Sequence, residues 1–322
     1  SPAYFNEALF YIIFCQDQLG QLFAAQNNIQ HLNLTVLSAK KQKKIREIQA
    51  KVPVTSFSVW TTNTYAGVLE YLNTQPAQSG YYIGLGGSWN NATTRIGVNT
   101  ERLSINTASA SLLNQFQFSA YYSQTWSEHW LTRISGFYLS NDDATTDQGK
   151  VGGIWLAYLF SAGSLLGSES FYSIYPATAQ LNVLQESLFF SFPVFREGGS
   201  SLFLELKGKV ILPHSTSVLL GSYSEQIFGS GEMTFRLTLG SHAVTLGAWL
   251  GRRFFAIQND GATVMNVGLL RQGGARLTYN FFHSLHWQLG VFGIYESFLN
   301  GNTSGTPTSS TLAVGGAVSL FL

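Results

Sequence analysis

Two periods divide this chain. From Val52 to the end, apolar and polar positions alternate in twos. Before it, apolar positions recur every three or four residues. The clearest stretch is the last, Ser310 to Leu322, reading STLAVGGAVSLFL. One parity is Leu312, Val314, Gly316, Val318, Leu320 and Leu322. The other is Thr311, Ala313, Gly315, Ala317, Ser319 and Phe321. Period two with one apolar face predicts a β-strand. The same alternation predicts strands at 54–64, 80–90, 93–102, 112–126, 128–140, 149–161, 165–175, 183–195, 200–212, 230–240, 242–256, 273–283, 285–299 and 310–322. Ahead of these, Phe5, Leu9, Ile12, Gln16, Leu19 and Phe23 form a helical stripe over about five turns. Ile45, Ile48 and Val52 carry a second helical spacing in AKKQKKIREIQAK.

A run of thirteen alternating residues is longer than an ordinary strand of about five or six. It suits a tilted strand crossing a bilayer, about 9–11 residues. Such a strand needs a partner, because an open edge leaves N–H and C=O groups unpaired in hydrocarbon. The first strand is the natural partner, so the pattern expects closure. Predicted connections alternate in length. Short ones fall near Asn91, Ser127, Gly163, Gly198, Ser241 and Ser284; long ones span 65–79, 103–111, 141–148, 176–182, 213–229, 257–272 and 300–309. Aromatics gather near the short turns: Trp89, Trp126, Trp130, Phe160, Phe192, Phe195, Phe281, Trp287 and Phe321. Tyr138, Tyr175 and Tyr295 sit toward the long-loop end.

These features resemble bacterial outer-membrane β-barrel proteins over roughly residues 52–322. In that family the last strand typically ends in an aromatic residue read by the assembly machinery. Here Phe321 is penultimate and Leu322 last. The resemblance implies an up-and-down antiparallel transmembrane β-barrel of about fourteen strands (range 12–14). It also implies short periplasmic turns, long outer loops, interfacial aromatic girdles and a place in the bacterial outer membrane, among lipid and lipopolysaccharide.

Composition agrees with lipid. Only 11% of the 322 residues are charged, against about 25% in soluble domains. No run of 18 apolar residues occurs, which excludes helical spans. The net charge of +1 points to no nucleic-acid partner. The single cysteine, Cys15, has no intrachain partner and no N-terminal position for a lipid anchor. The barrel reading expects a signal peptide ahead of Ser1, removed from this chain.

Residues 1–51 are expected as a helical segment and 52–322 as the barrel. Six of the 18 basic residues fall between Lys40 and Lys51. The second helix is therefore basic and amphipathic: solvated in the periplasm, plugging the barrel, or lying on anionic headgroups. The stripe Phe5, Leu9, Ile12, Leu19 and Phe23 must bury somewhere, giving a surface for a homo-oligomer, a periplasmic partner, the barrel wall or the second helix.

Candidate chemistry lies inside the barrel. On strand 200–212, Leu202, Leu204, Leu206 and Val210 share the lipid face, so Glu205, Lys207 and Lys209 point inward. On strand 230–240, Met233, Phe235, Leu237 and Leu239 face lipid, so Glu232, Thr234 and Arg236 point inward. Arg276 and Arg133 join them. One register sets Glu205 against Arg236 and Lys209 against Glu232, with Leu206 against Phe235 outside. No cofactor or metal is expected, and no enzyme. The only grouping that resembles a hydrolytic set is His214 with Ser215, Ser217 and a remote Asp142 or Asp143. GLGGSW at 84–89 lies within a strand, where glycine eases close packing rather than holding phosphate. The expected function is passage of a solute or polypeptide through a polar lumen, gated or docked by the N-terminal helices. The alternative is a structural or assembly anchor whose helices bind an envelope partner or form an oligomer.

Overall fold

A computed structural model describes residues 2–18, 28–29, 32–51, 59–72, 79–91, 93–106, 111–127, 129–142, 147–160, 163–176, 180–197, 200–216, 226–253, 257–258, 263–264, 270–282, 287–299 and 309–321. The chain divides into two compact units, Ser1–Val59 and Trp60–Leu322.

The first unit contains helices α1 (Pro2–Gln18) and α2 (Ala39–Lys51) and a 3-10 turn at Leu34–Val36. Asn33 caps that turn, its side chain accepting from the Thr35 N–H. The packing face of α1 is not the expected stripe. Asn6, Leu9, Phe10 and Ile13 are buried, while Ile12 is 48% exposed. The face is turned by about one residue, or 100°. The segment FNEALFYIIF is apolar nearly all round, so α1 has no single face to offer. Ile13 clusters with Ile45 and Ile48 of α2, and Leu9, Phe10, Ile29, Leu32 and Leu37 complete the cluster. The Phe5 side chain, Leu19 and Phe23 lie outside the described residues.

The second unit is a barrel. Its strands are β1 (Val59–Leu72), β2 (Ser79–Asn90), β3 (Thr94–Asn106), β4 (Ser111–Thr125), β5 (Trp130–Asn141), β6 (Gly149–Leu159), β7 (Leu165–Tyr175), β8 (Leu181–Glu197), β9 (Ser200–Ser215), β10 (Phe228–Leu239), β11 (His242–Arg253), β14 (Leu270–Phe282), β15 (Trp287–Leu299) and β16 (Ser309–Phe321). Between β11 and β14, β12 (Ile257–Gln258) and β13 (Thr263–Val264) pair only with each other. The fourteen long strands close into one antiparallel barrel, each on its sequence neighbours and β16 on β1. The closing ladder runs from Thr61↔Phe321 to Leu72↔Ser310. It gives the last strand the partner its apolar face requires.

The start of the barrel differs from the alternation alone. Alternation predicts a first strand at 54–64 and a loop over 65–79, but β1 is Val59–Leu72. Residues 54–58 lie outside the described residues, and YAGVLEYL at 65–72, expected as loop, is strand. Thr61, Asn63 and Tyr65 line the interior, and pairing with β16 extends the strand. Connections at one end stay short, at 91–93, 126–129, 160–164, 198–199, 240–241 and 283–286. Gly240 makes the tightest of these with φ +56°, a backbone that glycine adopts without cost. At the other end, 216–227, 254–269 and 300–308 are long, but 107–110 is as short as a turn because β3 continues to Asn106.

Outside, the strands show apolar side chains, among them Val68, Leu85, Ile134, Leu188, Leu277 and Val314, each at least half exposed. Such a continuous belt marks lipid contact. Trp126, Trp130, Phe160 and Phe195 are exposed at the short-turn end, and Tyr138 and Tyr295 toward the other. Two girdle assignments fail. Tyr175 is fully buried, and Phe321 lines the interior. Both fall on the inward parity of their strands, which overrides a position near a strand end.

Candidate functional site

The interior is built from alternate residues of the strands. Glycines opposite aromatics hold much of it together. Tyr65 of β1 lies over Gly84 of β2, and Tyr82 of β2 lies over Gly67 of β1. Tyr121 lies over Gly97 in the same way, and a Cβ at any of the three glycines would overlap the ring. Within the glycine-rich GLGGSW stretch, Gly84 makes room for the Tyr65 ring and Gly86 for the Asn63 and Asn99 side chains.

The predicted charges share the interior in a different register. Across β9 and β10, Glu205 faces Thr234, Lys207 faces Glu232 and Lys209 faces Ser230. Outside, Leu206 faces Met233 and Leu204 faces Phe235. This is two residues from the expected pairing. A slip of two keeps every side chain on its face, so the apolar pattern does not discriminate between the registers. Arg236 still reaches Glu205, at 2.9 Å along the diagonal. Glu232 takes two arginines, Arg253 at 3.0 Å and Arg276 at 2.8 Å. Lys207 pairs with Glu169 at 3.1 Å. Arg271 pairs with Glu296 at 2.8 Å.

Glu169, Glu205, Lys207, Glu232 and Arg253 form a wall on one side, and Arg236, Arg271, Arg276 and Glu296 border the open space beside it. Phe171, Phe189, Phe228 and Trp249 are buried around the wall. The opposite side is open. A cavity of about 870 Å³ is lined by β1–β5, β10, β11 and β14–β16, with no residue from β6–β9. Its size falls in the range of small-molecule sites, about 300–1,000 Å³. Two carboxylates lie on it, Glu101 and Glu296. The Tyr65 hydroxyl donates to Glu101 at 2.7 Å, and the Asn99 amide donates to Tyr65 at 3.0 Å. A second cavity of about 340 Å³ lies beside the turn after β2. Arg95 and Arg133 line both.

On the inward parity of the described strands, the bases are Arg95, Arg133, Arg196, Lys207, Lys209, Arg236, Arg253, Arg271 and Arg276. The acids are Glu101, Glu169, Glu205, Glu232 and Glu296. Among the described residues the lumen is net basic. Glu169, Glu101 and Arg95 are not among the sequence candidates although parity marks them: Ile96 and Val98 face out, so Arg95 and Glu101 face in. Arg271 is hidden from sequence reasoning for a physical reason. A register shift between Arg271 and Gly273 reverses the parity of β14 there, so simple alternation does not reach Arg271, while Arg253 keeps the inward parity of Gly247 and Trp249 and is simply missing from the candidates. His214 is exposed while Ser215 is buried on the other face of β9, so the two do not come together. Ser217 and Asp143 lie outside the described residues. Asp142 accepts from the Asn114 backbone N–H at 2.7 Å.

No protein-family model matches the chain, and no curated protein is similar to it. Solved structures match the barrel. A bacterial polysaccharide outer membrane secretin aligns with TM-score 0.51 and 7% identity, over 81% of this chain and 97% of that one. The TodX deltaS2S3 mutant, a monoaromatic hydrocarbon channel, aligns with TM-score 0.49 and 8% identity, over 82% and 90%. Omp33 of Acinetobacter baumannii aligns with TM-score 0.43 and 7% identity, over 80% and 97%. At such identities the likeness is one of fold. The chain is a closed fourteen-stranded antiparallel β-barrel with an apolar outer belt, the fold that these outer-membrane structures share.

Proposed function

We propose that this protein is a passive channel of the outer membrane, passing a small solute, with the N-terminal helical unit gating it or docking a partner. The observation that carries the reading is the 870 Å³ cavity, to which ten of the fourteen strands contribute and which lies in a net-basic interior. A barrel that served only as an anchor has no need of an open half-lumen. Its volume suits a small molecule better than a polypeptide. The test is single-channel conductance in planar bilayers, with the whole chain and with residues 1–51 deleted. Steps in both, larger after the deletion, support a gated channel. Silence in both overturns it.

A second reading has one observation of its own. The helical unit carries its own apolar cluster and still leaves Tyr11 and Ile12 about half exposed. That surface supports an anchor whose helices bind an envelope partner or a second copy. A silent barrel whose assembly state changes with Tyr11→Asp and Ile12→Asp would favour it.

A further inference from the structure

We propose that the lumen holds a binding site for a small organic anion, its charged head between Arg95 and Arg133 and its apolar body in the larger cavity. The proposal rests on the channel reading only for the route by which the ligand arrives. Asn90, Arg95, Ser123, Arg133 and Trp155 follow one another across β2 to β6 at one level of the ladder. Arg95 and Arg133 both stand opposite Ser123, one on each side. Two strand spacings put their backbones about 10 Å apart. An oxyanion above Ser123 would lie about 5 Å from each of the two backbones, within the length of an arginine side chain, with Arg133 turning to it from Trp155.

The charge at this place is uncompensated among the described residues. Lys207, Arg236, Arg253, Arg271 and Arg276 each meet a carboxylate. Arg95 and Arg133 meet rings instead. Arg95 lies over Tyr121 at 5.3 Å, and Arg133 over Trp155 at 5.6 Å. A guanidinium over a ring keeps N–H groups at its edge for an acceptor. The two carboxylates on the cavity are already engaged, Glu101 by Tyr65 and Glu296 by Arg271. Both arginines line both cavities, so they stand where a ligand would cross from one to the other.

The body of the ligand follows from the wall above. Tyr65 and Tyr82 have ring centres 6.4 Å apart, and Tyr82 and Phe292 are 5.8 Å apart. Tyr121, nearer the arginines, lines the same cavity. Cations below and rings above select an organic anion over a sugar, a cation or a bare inorganic ion.

Calorimetry on the folded full-length protein in detergent tests this with phenylacetate, 2-phenylethanol and acetate. Phenylacetate is expected to bind at least ten-fold more tightly than either of the others. Arg95→Gln and Arg133→Gln should each weaken it roughly ten-fold or more and change 2-phenylethanol little. Retention of the SDS mobility shift on boiling shows that each variant is folded. Should a variant not fold, the comparison of acid and alcohol on the unaltered protein decides. Equal affinity for phenylacetate and 2-phenylethanol overturns the proposal, as does undiminished affinity in the double variant. Conductance separates this from the channel reading. Binding without conductance removes the channel and leaves the site; conductance without binding removes the site alone.

Discussion

Glu205 on β9 faces Thr234 across the ladder, yet its carboxylate is held by Arg236 one rung further on, at 2.9 Å. A diagonal contact of this kind is within reach of a long side chain. Nearly half of the Arg236 side chain remains exposed to the lumen, so the pair contributes little to stability, about 0.2–1 kcal/mol. Its effect is on the field inside the pore. Arg236→Glu should move the reversal potential in a KCl gradient toward cation preference, and Glu205→Arg toward anions. The double exchange should return it near the starting value. Identical potentials in all four proteins would show that the pair does not border the ion path.

Glu232 is a different case. It lies between Arg253 and Arg276, and the Arg253 side chain is only 3% exposed. Removing the carboxylate charge leaves a buried cation without its counter-ion, which costs about 3–5 kcal/mol. Glu232→Gln should therefore lower the temperature at which the barrel loses its compact form in SDS, whereas Arg236→Gln should leave it nearly unchanged. An unchanged transition for Glu232→Gln would mean that this network is solvated.

The glycine–tyrosine contacts between β1 and β2 predict a rescue. Gly84→Leu forces a side chain into the Tyr65 ring, and overpacking of this sort costs about 1–3 kcal/mol. Folding yield, read as the heat-modifiable fraction, should fall. Adding Tyr65→Ala should recover part of it. Failure of the second change to help would locate the damage elsewhere than at the ring.

In the helical unit the exposed and buried positions of α1 give opposite results. Ile13→Asp places a charge in the apolar cluster and should abolish the helical signal of the unit, while Ile12→Asp should preserve it. The readout is the circular-dichroism difference between the full chain and the barrel alone. Loss of helix in Ile12→Asp would contradict the face observed.

Lys41 of α2 accompanies that packing. Its ammonium donates to Glu7 of α1, which holds its pKa above the ordinary 10.5. A folded value above the unfolded one means that the contact contributes fully below pH 10.5 and is lost as pH rises through the raised value. The ammonium is solvent-exposed, so the change should be small. Glu7→Gln should remove it from the pH profile of the helical signal above about pH 10, and a profile identical in the variant would show that the pair is not coupled to folding.

Much of this molecule is legible in its residues alone. Alternation is a local property of an extended chain, because successive Cβ atoms point to opposite sides. It is enough to count fourteen strands, to turn Leu312, Val314 and Val318 outward, and to place Glu205, Lys207, Glu232 and Arg236 inside. What alternation cannot carry is how far one strand slides along the next. A two-residue slip leaves every face unchanged, so the register that gives Arg236 its diagonal to Glu205 is settled by the ladder of the whole barrel. The same is true of the extent of β1, whose residues 65–72, expected as loop, are strand through pairing with β16. It is true of α1, apolar on several sides, where α2 decides which side is buried. That Arg95 and Arg133 meet no carboxylate among the described residues is likewise tertiary. A sequence shows that arginine is present, but only the closed barrel shows which carboxylates fall within its reach.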